Sequence, residues 1–322
     1  MLRPILRLGR TWVLLLAMVS LPGLARAEHP EHFVVFGDSL SDPGNAFILE
    51  RKVDVPPFLS LIPDAPYARG GLHFSNGPTW VEQLSLIDHA LPSAGPALLA
   101  PRIFSNYAVG GARARLPGNA DLSAQVNLFL KDFHGQGPRN ALYIMWIGGD
   151  DLRDALTALA TDPVNGQANA GLIVQNAIFG IRDNLVRLYG AGARRFLVPG
   201  APDISKAPAV SLQGPVAQGA ATLLASQFNA ALETLLAGLE ASLQVSIVRL
   251  DTFALVDEVV ATPASFGLTD ATDPCIALNT TVHPYCAKPG GYLFWDGIHP
   301  TVAGHRIVAE RAYKALNPGP RP

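Results

Sequence analysis

The feature that most restricts the fold of this chain is an alternation running through most of its length. Short apolar runs rich in β-branched and aromatic residues are followed by longer segments with helical spacing. The runs fall at 33–36, 103–108, 141–147, 195–198 and 245–250. None alternates strictly between apolar and polar residues, so each predicts a strand covered on both faces. Helical spacing appears at 78–86, 122–133, 151–160, 172–188, 217–239 and 301–316. Alternation of this kind predicts α/β architecture: a three-layer α/β/α sandwich with a parallel sheet of about five strands. No internal repeat, charge block or linker interrupts it, and a hydrophobic content of 49% is enough for one large core. Two Pro/Gly-rich stretches, 55–77 and 92–101, read as long surface loops, and loops on a rigid sheet often line a binding site.

Residues 1–27 read as a signal peptide outside that core. Arg3, Arg7 and Arg10 form a basic start, 11–24 an apolar stretch, and Ala25-Arg26-Ala27 a small-x-small cleavage pattern. The stretch is shorter than the ~20 residues a membrane span needs, and no later segment is long and apolar enough to span. The mature chain is therefore expected to begin near Glu28 and to be exported, with 28–322 as a single domain. The removed segment carries four arginines and no acid, so the mature chain is more acidic by four charges than the full chain's −2. With no basic run or aromatic-basic interleaving, nucleic acid is not an expected partner. The two cysteines, Cys275 and Cys286, suggest a disulfide in an exported chain, two separate buried thiols being the alternative. They are too few for a zinc site, and none of the eight histidines forms an H-x-x-x-H pair, so no metal or cofactor is expected.

The first predicted strand ends in Gly37-Asp38-Ser39-Leu40-Ser41-Asp42. A glycine lets the chain turn off the sheet edge, leaving Ser39 at the carboxyl end of the strand, where open α/β sheets bind ligands. A serine hydroxyl is a poor nucleophile until a base takes its proton. Taken alone, the motif reads better as a helix N-cap. A partner lies near the other end, in Trp295-Asp296-Gly297-Ile298-His299-Pro300. A carboxylate three residues before a histidine can fold back onto that imidazole, fix its tautomer and stabilise the imidazolium. Pro300 is expected to open the final helix and restrict His299.

Together the two motifs resemble the GDSL esterases and lipases of the SGNH hydrolase superfamily. Two further blocks lie between them in the family's order: Asn106-Tyr107-Ala108-Val109-Gly110-Gly111, and Ile147-Gly148-Gly149-Asp150-Asp151, which is similar to the family's G-x-N-D. Pro199-Gly200-Ala201-Pro202-Asp203 and Gln227-Phe228-Asn229 resemble the plant-type branch and its bacterial relatives. The resemblance implies a flavodoxin-like SGNH fold and a secreted serine esterase or lipase that hydrolyses carboxylic esters through an acyl-serine intermediate. Ser39 would be nucleophile, His299 base and Asp296 its orienting carboxylate. The oxyanion hole would comprise the N–H groups of Ser39 and Gly111 and a side chain at position 150. The implied partner is a small-molecule or lipid ester. An acyltransferase would use the same residues, and no G-x-S-x-G surrounds Ser39, against the usual α/β-hydrolase elbow.

Asp150 departs from the family's asparagine. An ionised carboxylate accepts hydrogen bonds and donates none, so it opposes a developing oxyanion unless it is protonated or turned aside. A non-catalytic binding protein on a hydrolase scaffold is the alternative this departure raises. Asp38 and Asp42 are expected to hold the turn, Asn45 to be structural, and His73, His283 and His305 to be loop or surface residues.

Overall fold

A computed structural model describes residues 30, 32–90 and 92–318. The expected signal peptide and its cleavage site lie outside the described residues. The main sheet is parallel, in the order β1 (His32–Gly37), β2 (Ala141–Trp146), β3 (Arg195–Pro199) and β4 (Ser246–Leu250). A fifth extended segment completes it at the outer edge of β1. Val35 N–H donates to Ser105 O, Tyr107 N–H to Val35 O and Val109 N–H to Gly37 O. This is the predicted run at 103–108, begun two residues later and joined through a single parallel bridge between Val35 and Asn106. The ladder forms no second bridge because the next donor on β1, Gly37 N–H, is taken by Gln125 Oε1, while the Asn45 side-chain amide satisfies the outward carbonyls Asn106 O and Ala108 O.

β1, β2 and β3 are buried on both faces, which explains their lack of alternation, while β4 at the sheet edge is only partly covered. Val34, Phe36, Tyr143, Met145, Phe196 and Val198 point into one apolar layer. That layer is built with α3 (Leu122–Asp132), α4 (Gly149–Thr161), α5 (Gly166–Gly190) and α7 (Pro215–Ser242). Phe33, Val35, Leu142, Ile144, Trp146 and Leu197 point into the other, with α2 (Trp80–Ile87), α8 (Thr252–Ala261) and α9 (Val302–Leu316). The result is the three-layer sandwich. Two short helices, α1 (Asn45–Glu50) and α6 (Pro208–Ser211), follow the carboxyl ends of β1 and β3 in the chain.

The helix starts are legible in local chemistry. Thr79 and Glu82 form a reciprocal capping box at α2, and the Thr301 hydroxyl accepts from Gly304 N at the start of α9. Helix α9 thus begins one residue past its cap, and Pro300 precedes the cap instead of opening the helix. A second small sheet pairs β5 (Asp270–Pro274) with β6 (Tyr292–Phe294). Cys275 and Cys286 are disulfide-bonded beside it. No helix among the described residues is long and apolar enough to cross a membrane.

Candidate active site

Ser39 stands immediately past β1, and the glycine before the Asp-Ser pair has a more specific role than a free turn. A Cβ at Gly37 would lie 2.4 Å from the Trp146 carbonyl oxygen of the neighbouring strand. The position therefore requires close approach of two backbones rather than a left-handed conformation. Gln125 on α3 clamps the same peptide from the other side, accepting from Gly37 N at 3.0 Å and donating to Gly37 O at 2.8 Å. Past the serine, Asp42 accepts the backbone N–H groups of Gly44, Asn45, Ala46 and Gly110. Asn106 donates to Ser41 O at 2.8 Å. Asp42 and Asn45 thus tie the nucleophile turn to the second sequence block.

The structure brings Ser39, His299 and Asp296 together across 260 residues of sequence. Ser39 Oγ and His299 Nε2 are 2.8 Å apart, and His299 Nδ1 lies 2.7 Å from Asp296 Oδ2. The other carboxylate oxygen, Oδ1, accepts the N–H groups of Ile298 and His299 at 2.8 and 2.7 Å. All three residues are buried, Asp296 completely. Gly297 has no room for a side chain, since a Cβ would meet Leu61 at 2.7 Å and Ala209 at 2.9 Å. A hydroxyl bonded to an imidazole that is itself held by a carboxylate can lose its proton as it attacks an electrophile.

Gly111 has a φ of 78°, and the turn that carries it is fixed by charge. Arg113 Nη1 donates to Gly111 O at 2.8 Å, while its Nε and Nη2 bind Asp154 on α4 at 2.6 and 2.9 Å. The Gly110 N–H is taken by Asp42, and no acceptor among the described residues takes that of Ser39 or Gly111. Asp150, on the first turn of α4, stays in the wall of the cavity beside Ser39 and His299. One of its oxygens meets Arg153 Nη2 at 2.8 Å. Burial pushes the Asp150 carboxyl above its ordinary value, while Arg153, Arg113 and His299 pull it back. Its neighbour Asp38, also buried, is pushed up to about 8, first by burial and then by Asp150, against the Leu40 and Gly149 amides that donate to it.

The cavity at Ser39 has a volume of about 630 Å³ and apolar walls, among them Leu40, Trp146, Leu156, Leu255 and Ile298. The 55–77 loop contributes Ile62 to that wall, the Phe74 ring 5.3 Å from His299, and Tyr67, whose hydroxyl donates to Asp296 Oδ2 at 2.8 Å. Trp146 lines the cavity, whereas Trp295 is buried behind it.

One expectation is corrected: His305 is neither loop nor surface but buried in α9. His73 lies in a loop as expected, buried there and bonded to Gly70 O and Glu82. Each sits where a neighbouring helix packs over it, which a single sequence position does not reveal. His283 is exposed as expected. Tyr67, Gln125, Arg113 and Arg153 went unrecognised. Only the Asp/Arg spacing of Asp150 and Arg153, three apart on a helix, could have pointed to one of them.

The sequence profile described as GDSL-like Lipase/Acylhydrolase matches residues 33–312. The chain belongs to this family. Among its relatives, a GDSL esterase/lipase of Arabidopsis thaliana is 26% identical over 350 residues, covering 95% of this chain and 94% of the plant protein. The thermolabile hemolysin of Vibrio parahaemolyticus is 28% identical over 306 residues, covering 88% of this chain. The match spans 63% of the hemolysin's own length. A solved member of the lipolytic G-D-S-L family from Veillonella parvula aligns with a TM-score of 0.42 at 13% identity, covering 88% of this chain and 96% of that one. Membership of the family supports hydrolase activity, and the two sequence features that resembled its plant-type branch meet in space. The Asn229 side chain accepts from Ala201 N and donates to Ala201 O.

Proposed function

We propose that this chain is an exported serine esterase, a single catalytic domain over 28–322, that hydrolyses carboxylic esters with an apolar acyl group. The observation that carries the reading is the unbroken chain of hydrogen bonds from Ser39 Oγ through His299 to Asp296, opening on an apolar cavity. Ser39 Oγ bonds to the acyl carbon while its proton passes to His299 Nε2. The carbonyl oxygen becomes an oxyanion facing the N–H groups of Ser39 and Gly111. Collapse breaks the bond to the alcohol, which leaves with the proton from His299. Water then repeats the sequence on the acyl-serine and releases the acid. Asp296 keeps the imidazole in the tautomer that accepts at Nε2. Each oxyanion donor contributes on the order of 10²–10³ in rate. The disulfide supports export, since such bonds persist outside the reducing cytoplasm.

The test is labelling by a fluorophosphonate together with turnover of p-nitrophenyl esters of graded acyl length. Labelling and turnover by the wild type, both lost in Ser39→Ala, are expected. A wild type that neither labels nor turns over any ester overturns the reading in favour of a binding protein. Ester consumption that yields a new ester with an added alcohol, and little free acid, assigns a transferase.

A further inference from the structure

Tyr67 is 229 residues from Asp296 in sequence, yet its hydroxyl donates to Asp296 Oδ2 at 2.8 Å. That is the same oxygen that receives His299 Nδ1. With Ile298 N and His299 N on Oδ1, the buried carboxylate carries four hydrogen bonds, and Tyr67 supplies the only one from outside the Asp296–His299 turn among those described. The phenol is 1% exposed. Its ring is held edge-on by Phe58 and Trp295, with centroids 5.5 and 5.7 Å away, and Tyr285 packs against both of those rings. Its backbone is pinned as well, Tyr67 N donating to His73 O at 2.9 Å. Burial, then the charge and hydrogen bond of Asp296, push the phenol's proton loss well above its ordinary range, so it remains a donor at working pH.

We infer that Tyr67 is a positioning residue for catalysis: its hydroxyl fixes the plane of the Asp296 carboxylate and shares the charge on Oδ2, which sets how strongly Asp296 holds the proton on His299. The inference rests on the reading of Ser39 and His299 as nucleophile and base. The physics is that of a carboxylate with two donors on one oxygen. When the phenol donates, less negative charge remains for the imidazole N–H. Without it, Asp296 holds the imidazolium more tightly, so His299 keeps its proton to higher pH and is a base over a narrower range. The carboxylate also loses one of the four hydrogen bonds that hold its plane, and the only one of those described that comes from outside its own turn. The other ionisable groups facing this cluster are Asp54 and Tyr285 beside Tyr67, and Asp150 and His305 near His299. All of them persist when only the hydroxyl is removed.

Tyr67→Phe keeps the ring and deletes the donor. In this variant kcat/KM is expected to fall about tenfold at its optimum, through kcat rather than KM, and the acid limb of the pH–rate profile to move to higher pH. The downfield proton resonance of the His299 Nδ1–H, read by NMR without substrate, is expected to shift further downfield. Phe58→Leu loosens the same aromatic packing and leaves the hydroxyl in place. It is expected to lower the melting temperature without moving the acid limb or the resonance. Site-specific replacement of Tyr67 by 3-fluorotyrosine, a stronger donor in the same packing, moves the limb the opposite way and remains a test if Tyr67→Phe does not fold. An acid limb and a His299 resonance unchanged in Tyr67→Phe, or in the fluorotyrosine protein, overturn the inference. If the wild type turns over no ester, the proposed function fails while the resonance still decides the role of Tyr67.

Discussion

Asp150 is the residue at which this chain departs from its family's pattern, and the departure has a defined electrostatic setting. An asparagine there donates an N–H to the oxyanion, whereas a carboxylate can only repel it. Asp38 lies next to it, buried and pushed up to about 8. Two adjacent buried carboxyls cannot both ionise cheaply, so the pair keeps a proton into the neutral range and loses it as pH rises through about 8. Below that pH one carboxyl is neutral and the local charge is partly answered by Arg153. Above it, two negative charges flank the place where the proposed reaction puts its oxyanion. The rate should therefore fall on the alkaline side in the wild type. Asp150→Asn removes that fall and restores an N–H donor, so kcat at pH 9 is expected to rise about tenfold or more. Ester turnover measured from pH 6 to 10 with both proteins checks this. A dead Asp150→Asn enzyme would mean that holding Arg153 matters more than donating to the oxyanion.

Elements were legible where their pattern was unambiguous. The strands before Ser39 and Asp150 read as continuous apolar runs because helices cover both faces, and α2, α3, α7 and α9 were legible from one apolar stripe each. Helix α8 was not, because only Asp251 separates it from β4. The run of Val, Leu and Phe on either side gives no change of period to mark the boundary, although Asp251 caps the helix by accepting from Ala254 N at 2.9 Å. At the site, Ser39, Asp296 and His299 were legible because each sits in a short contiguous motif. Tyr67, Gln125 and Arg113 were not, because their partners lie tens to hundreds of residues away and only tertiary packing creates the contact. The small β5–β6 sheet belongs to this second kind. Its end carries Cys275, whose N–H donates to Phe294 O, while Ile276 N donates to Trp295 O beside Asp296. The disulfide to Cys286, 11 residues on, cross-links the loop that backs the triad carboxylate. Replacing both cysteines by alanine is expected to lower stability by about 2–3 kcal/mol, read as an earlier denaturation midpoint. Turnover at 20 °C should stay within about threefold, because the backbone pairing remains. Equal midpoints for the two proteins would show that the β5–β6 sheet needs no cross-link.

At the scale of the molecule, the position of the cavity follows from the order in which the strands are laid down. The chain leaves β1 to place the 105–109 segment on one side and then returns to place β2 on the other, so the sheet reverses direction of growth between β1 and β2. A crevice opens at the carboxyl edge of such a switch. Ser39 follows β1 there, and Asp150 follows β2. The cavity extends from that point over β3 and β4, and its walls come from both outer layers: Leu156 and Ala220 from α4 and α7, Leu255 and Ile307 from α8 and α9. An acyl chain entering it leaves water for side chains contributed by every layer of the fold. Each buried methylene contributes about 0.8 kcal/mol, close to fourfold in kcat/KM. Activity on a graded series of esters is thus expected to climb with each carbon until the cavity is filled, then level off. Ala220→Phe takes up part of the space without touching Ser39, Asp296 or His299. The plateau should move to shorter chains, with acetyl ester turnover nearly unchanged and long-chain kcat/KM reduced about 10²-fold. If both proteins show the same length profile, the acyl group lies elsewhere and the cavity receives the alcohol.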